Sequence, residues 1–179
     1  YHEEAVTVAM ELTELPRLTP KTLLQTFGIL SRNKRDVTAY KLLNNLPYSF
    51  DRNSILPERM LPPKSETAFI ADGIIDYAIA FLEPNYAKLV PARLQLALYL
   101  DSKNQAAQFF LAQAWANANQ FDQAIEMLSY IDDASLWAMP SQLLLNDIDA
   151  QLGNEDIAIK RFHSYVTRHE DNAHLHKEL

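Results

Sequence analysis

The sequence predicts an all-α protein, an α-solenoid of antiparallel helix pairs, on three observations. Only three glycines occur in 179 residues. Apolar residues recur at helical spacing rather than in alternation, as in Leu94, Ala97 and Leu98, and in Phe121, Ala124, Ile125 and Leu128. The stretch NQFDQAI at 119–125 returns as GNEDIAI at 153–159, an offset of 34 residues that aligns Asp122 with Asp156, Ala124 with Ala158 and Ile125 with Ile159.

The elements follow in order. Ala5, Val8, Ala9 and Leu12 share one face of a first helix over 3–15, which stops before Pro16. Thr19 as N-cap and Pro20 at the first helical position start a second helix through about Arg32. A third spans about 36–46 and ends before Pro47. Residues 47–66 hold Pro47, Pro57, Pro62 and Pro63, too many for regular helix, and read as a connection with one short turn at 57–60.

Ser65 and Glu66 then open a helix through about Glu83, ended by Pro84. Its partner spans about 86–100, with Pro91 either delaying its start or kinking it. Helices at about 105–118, 121–131, 136–151 and 155–168 complete the chain, Ser135 capping the third of these. The short loops between them require antiparallel neighbours. Three parts result: N-terminal helices with a hairpin over 1–46, the proline-rich connection over 47–66, and a repeat region with its tail over 67–179.

Bulk properties narrow the function. Sixteen Lys+Arg against 23 Asp+Glu give a formal net charge of −7, the wrong sign for holding nucleic acid through its phosphates. A basic or neutral partner fits better. The absence of cysteine removes disulfides and thiolate metal sites. No apolar run approaches the roughly 20 residues of a membrane-spanning helix, and no charged start followed by an apolar core marks a signal peptide. The chain opens on Tyr1 rather than Met, so the expectation is a piece of a longer protein whose removed export signal would leave no trace.

Chemistry is sparse. RHEDNAHLH gathers His169, His174 and His176, with His163 earlier on the preceding helix, but a pair of histidines on a chain end lacks the rigid convergence zinc needs, so no metal or cofactor is expected. Asp132 and Asp133 point in different directions as sequence neighbours, and with the Ala-Ser-Leu that follows they read as the approach to a helix capped by Ser135 rather than as an acid/base pair. No nucleophile elbow, phosphate loop, HExxH or dinucleotide glycine pattern occurs, and the expectation is a non-enzyme. Trp115 and Trp137 allow two readings, core packing or a sugar-stacking platform. Arg32, Lys34, Arg35 and Lys41 form either a solvated turn or an anion contact.

A 34-residue period with two helices per unit is the signature of the tetratricopeptide repeat. The frame 71–104, 105–138 and 139–172 places Leu111, Ala112, Trp115, Asn119, Ala124, Leu128 and Ile131 at the signature positions of its middle unit. Asn119 and Gly153 occupy the turn, where left-handed backbone is cheap. Asn146 and Asp149 depart from the pattern in the last unit, and the proline usual at the thirty-second position is replaced by Ser102, Leu136 and Glu170. With ARLQLALYL at 92–100, AQFFLAQAW at 107–115 and YIDDASLW at 130–137, the region from about Thr67 to Asp171 resembles a segment of the long tandem tetratricopeptide-repeat proteins of bacterial cell envelopes. A weaker hairpin over 22–43 reads as a degenerate repeat.

That resemblance implies a protein-interaction scaffold with a concave groove built from the first helix of each repeat. Carried onto this chain, the groove-lining residues are Asp72, Ile75, Ile79, Leu82 and Glu83, then Phe109, Gln113 and Asn117, then Leu143, Asp147 and Gln151, with Ala106, Ala116, Pro140 and Ala150 at the remaining positions. Ile75 and Ile79, Phe109 and Gln113, and Leu143 and Asp147 stand where a carboxylate-binding clamp needs Lys and Asn, which excludes an acidic peptide tail. An apolar segment carrying a basic residue fits better. Ile75, Phe109 and Leu143 can equally pack against a helix of the same chain. The implied partner is a protein or peptide, with self-association through the repeat ends a further expectation. The implied place is the periplasm or envelope, with the cytoplasm the alternative. The second functional expectation is an accessory of polysaccharide export that binds glycan through exposed aromatics.

Overall fold

The computed structural model describes residues 2–15, 18, 20–45, 65–80 and 87–168, and the described residues are helical with no strand. The helices are α1 (His2–Thr13), α2 (Pro20–Arg32), α3 (Asp36–Leu42), α4 (Glu66–Ala80), α5 (Val90–Leu100), α6 (Gln105–Asn117), α7 (Phe121–Leu128), α8 (Ala138–Gln151) and α9 (Glu155–Arg168). Short 3₁₀ turns follow α3 at Leu43–Asn45 and precede α5 at Ala87–Leu89. Sequence neighbours pack together: α1 on α2, α2 on α3, and each helix from α4 to α9 on the next, while α6 also touches α8. The proline-rich stretch over 47–64, the Thr19 cap, Leu82, Glu83 and the histidines from His169 onward lie outside the described residues.

The helix starts follow capping chemistry. The Ser65 hydroxyl accepts the Ala68 N–H at 3.1 Å, at the head of α4. Asn104, in extended geometry, accepts the Ala107 N–H at 3.1 Å and starts α6. Pro91 sits in the first turn of α5, where its missing N–H has no intrahelical partner to lose, so it delays the helix rather than kinking it.

Three hairpins share one turn. The C-terminal residues Lys34, Asn119 and Gly153 all have left-handed backbone, with φ of 59°, 58° and 76°. In each the N–H of that residue bonds the carbonyl three back: Lys34 to Ser31 (3.1 Å), Asn119 to Ala116 (2.9 Å) and Gly153 to Ala150 (3.1 Å). In each the next N–H reaches five back: Arg35 to Leu30 (3.0 Å), Gln120 to Trp115 (2.9 Å) and Asn154 to Asp149 (2.8 Å). This paired pattern is the Schellman motif, which satisfies two orphan carbonyls and reverses the chain. Five residues past the turn residue, Ala39, Ala124 and Ala158 are buried, and nine past it so are Leu43, Leu128 and Phe162. The 34-residue offset therefore relates equivalent backbone at Asn119 and Gly153, and α2–α3 repeats the same hairpin.

Several boundaries differ from the periodicity, among them α3, which ends at Leu42 and passes into the 3₁₀ turn at Leu43–Asn45 instead of running to 46. α7 ends at Leu128 instead of 131, because Tyr130 N–H turns to Met127 O and Ile131 N–H to Leu128 O, bonds to the third residue back that tighten the chain out of α geometry. α8 begins at Ala138 with Trp137 at the cap position, and Ser135 instead accepts the Trp137 N–H at 3.1 Å in the turn before it.

Two apolar clusters meet at α6. One joins Ala71, Ile75 and Ala78 of α4 with Val90, Leu94 and Ala97 of α5 and with Ala107 and Leu111 of α6. The other joins Leu23, Leu24, Phe27 and Leu30 of α2 with Ala106, Phe109, Ala112 and Ala116 of α6, then runs through Leu128 and Trp137 to Ile148. Asp149, one of the residues that break the repeat pattern, is 5% exposed and is ion-paired with Arg161 across α8 and α9, which explains a carboxylate at an apolar position.

Gly153 has open space where a Cβ would stand, so its φ of 76° is the whole constraint. Gly153→Ala is expected to lower stability by about 1 kcal/mol, and Lys34→Gly to raise it by about 0.5–1 kcal/mol, through relief of left-handed strain. Urea midpoints measure both; a stabilising Gly153→Ala refutes the account.

Candidate interaction surface

The groove positions fall into two sets. Ile75 is 0% exposed within the α4–α5–α6 cluster, so it faces its own neighbours. Phe109 is 8% exposed, its ring centroid 5.1 Å from that of Trp137 and 5.4 Å from that of Phe110. Ala106, Ala116 and Pro140 are buried as well. The early part of the lining is thus internal, and at Phe109 it shares a cluster with the apolar face of α2. Ile79 and Leu143 are half-buried.

The second set is open. Gln113 is half-buried and Asn117 exposed on α6; Asp147, Ala150 and Gln151 are exposed on α8. Since α6 and α8 touch, these residues lie on adjoining helices, toward the C-terminal half of each. The accessible lining consists of amides and a carboxylate, with little apolar surface beyond Leu143.

Asp72 has a role that position counting does not anticipate. One of its oxygens accepts the Gln25 amide at 3.2 Å, and the other accepts the Asn104 amide at 3.0 Å. Asn104 simultaneously caps α6, so a single carboxylate connects α2, α4 and the head of α6. Gln25 and Asp72 are 47 residues apart, and no local pattern relates them. The Asn104 cap was legible, as an Asn immediately before a helix former run.

The remaining sequence candidates disperse. Trp137 is 7% exposed, and Trp115 is half-buried between the two clusters, so neither indole is laid open as a platform. His163 is exposed, with its Nδ1 3.4 Å from the Thr167 hydroxyl. The Oδ1 of Asp132 accepts the Ala134 N–H at 2.8 Å, a turn contact. Arg32, Lys34, Arg35 and Lys41 are all exposed around the α2–α3 turn. Among the described residues no group of three or more His, Cys, Asp or Glu converges as a metal site, and no helix is long and apolar enough to cross a membrane.

Set against known proteins, the chain matches no family model, no curated protein and no solved structure. Any functional reading therefore rests on the geometry above.

Asp72→Ala removes the shared acceptor and is expected to cost about 1–3 kcal/mol. Amide hydrogen exchange should quicken across α2 and at the start of α6 while α9 keeps its protection. Unchanged exchange in α2 refutes the bridge.

Proposed function

We propose that this chain is a non-enzymatic scaffold of tetratricopeptide-repeat type that binds a protein or peptide partner along the adjoining first helices α6 and α8. The observation that carries the reading is the row of half-buried Gln113 and exposed Asn117, Asp147 and Gln151 on two touching helices. Such a row gives a partner hydrogen bonds and one carboxylate at fixed spacing on rigid elements, which suits an extended or helical segment with a basic residue. The shared hairpin turn at Lys34, Asn119 and Gly153 supports a tandem-repeat origin. It also supports extending the array to α2 and α3 as a degenerate unit, while a place in a bacterial envelope assembly comes from the sequence resemblance alone.

Ile75 and Phe109 serve this surface from beneath, by holding α4 and α6 in place. The polysaccharide reading is weaker, because Trp137, half of the aromatic platform it calls on, is packed against Phe109 and Phe110.

A photo-crosslinking residue placed in turn at Gln113, Asp147 and Gln151 in producing cells is expected to trap one common protein. The same residue at Asp122 or Glu126 on α7 should trap none. Adducts from α7 alone, or glycan in place of protein at the α6–α8 sites, overturn the proposal.

A further inference from the structure

From Asn104 through Ile159 the chain carries eight Asp and Glu residues and no Lys, Arg or His. Within that span a cleft of about 350 Å³ opens between the head of α6 and the turn preceding α8, lined by Gln105, Asp132, Ala134, Ser135, Leu136 and Trp137. None of these residues belongs to the α6–α8 row above. The volume is at the low end of ligand sites, suited to one side chain rather than to a cofactor.

The polar groups of the cleft are mainly acceptors. Among the described residues nothing donates a hydrogen bond to the buried Gln105 carbonyl oxygen Oε1, so a donor entering the cleft would satisfy it. Asp132 is exposed and spends Oδ1 on the Ala134 N–H, which leaves its charge directed outward. The Ser135 Oγ already accepts the Trp137 N–H. Leu136 and Trp137 form an apolar wall, the indole held rigidly by Phe109 and Phe110.

We propose that this cleft receives an arginine side chain from a basic segment of a partner protein. A guanidinium has five donors in a planar fork and no acceptor, which matches a carboxylate and an amide oxygen lining one cleft, while its methylene stem lies against half-buried Leu136. Lysine matches the charge but supplies a compact ammonium without the planar fork that reaches two separate acceptors. The surrounding run of carboxylates steers a basic segment toward the cleft and disfavours an acidic one.

The test is an NMR titration of the full chain with the peptide acetyl-Ala-Ala-Arg-Ala-Ala-amide, and with the same peptide carrying citrulline, a neutral isostere, in place of arginine. Saturable shifts are expected at the Gln105 side-chain amide, the Trp137 indole and the 132–136 backbone, weakening as salt is added. Citrulline, Asp132→Asn and Gln105→Leu should each weaken binding about tenfold or more. Asp132→Asn can keep the turn contact to Ala134, and circular dichroism verifies that both variants are folded. Equal binding of the citrulline peptide, indifference to both substitutions, shifts centred elsewhere or no saturation overturns the proposal, leaving a water-filled cleft. The crosslinking sites on α6 and α8 are untouched by these variants, so failure here and failure of the scaffold reading are distinguishable.

Discussion

The constraint on which the architecture depends is the left-handed residue that ends α2, α6 and α8. Two helix-terminal carbonyls must find donors when the chain reverses. The N–H of Lys34, Asn119 or Gly153 and that of the following residue supply them only if the turn residue adopts positive φ. Once that geometry is set, the second helix leaves in a defined direction. The residue five positions on is then buried, and Ala39, Ala124 and Ala158 occupy it. Glycine, asparagine and lysine meet the same demand at increasing conformational cost.

Around these hairpins, packing is divided between two faces of α6. Ala107 and Leu111 face the α4–α5 pair, whereas Ala106, Phe109 and Ala116 belong to the cluster that takes in α2 and reaches Trp137 and Ile148. Consuming both faces in the core leaves α6 accessible mainly toward its C-terminal end, and the accessible row continues on α8. The polar bridge from Gln25 through Asp72 to Asn104 adds direction to what apolar contact alone would leave loosely specified. An acceptor placed between two amide donors on separate elements tolerates little sliding of one helix over another.

Charge is distributed as unevenly as packing. The basic residues near the α2–α3 turn are exposed, while the span from α6 to the start of α9 holds acids without a basic residue. Asp149 pairs with Arg161, which lies beyond that span. Eight acids and no basic residue give that span a formal charge of −8. The proposed arginine site rests on that acidity and on the Gln105 carbonyl.

By itself the sequence determined the helical class, most helix boundaries and the 34-residue relation between Asn119 and Gly153, because these follow from local periodicity, capping and turn chemistry. It also pointed to the hairpin over 22–43, though Lys34 at the turn carries no glycine or asparagine signal. Tertiary structure alone decided which groove positions remain open. Ile75 and Phe109 obey the spacing of an exposed lining as well as Gln113 and Asp147 do, and periodicity cannot tell a face that meets solvent from one that meets another helix. The bridge from Gln25 to Asp72 and the closing of Trp137 over Phe109 belong to the same class. They join residues distant along the chain, and contact between such residues is set by how whole helices dock, a property no short window of sequence encodes.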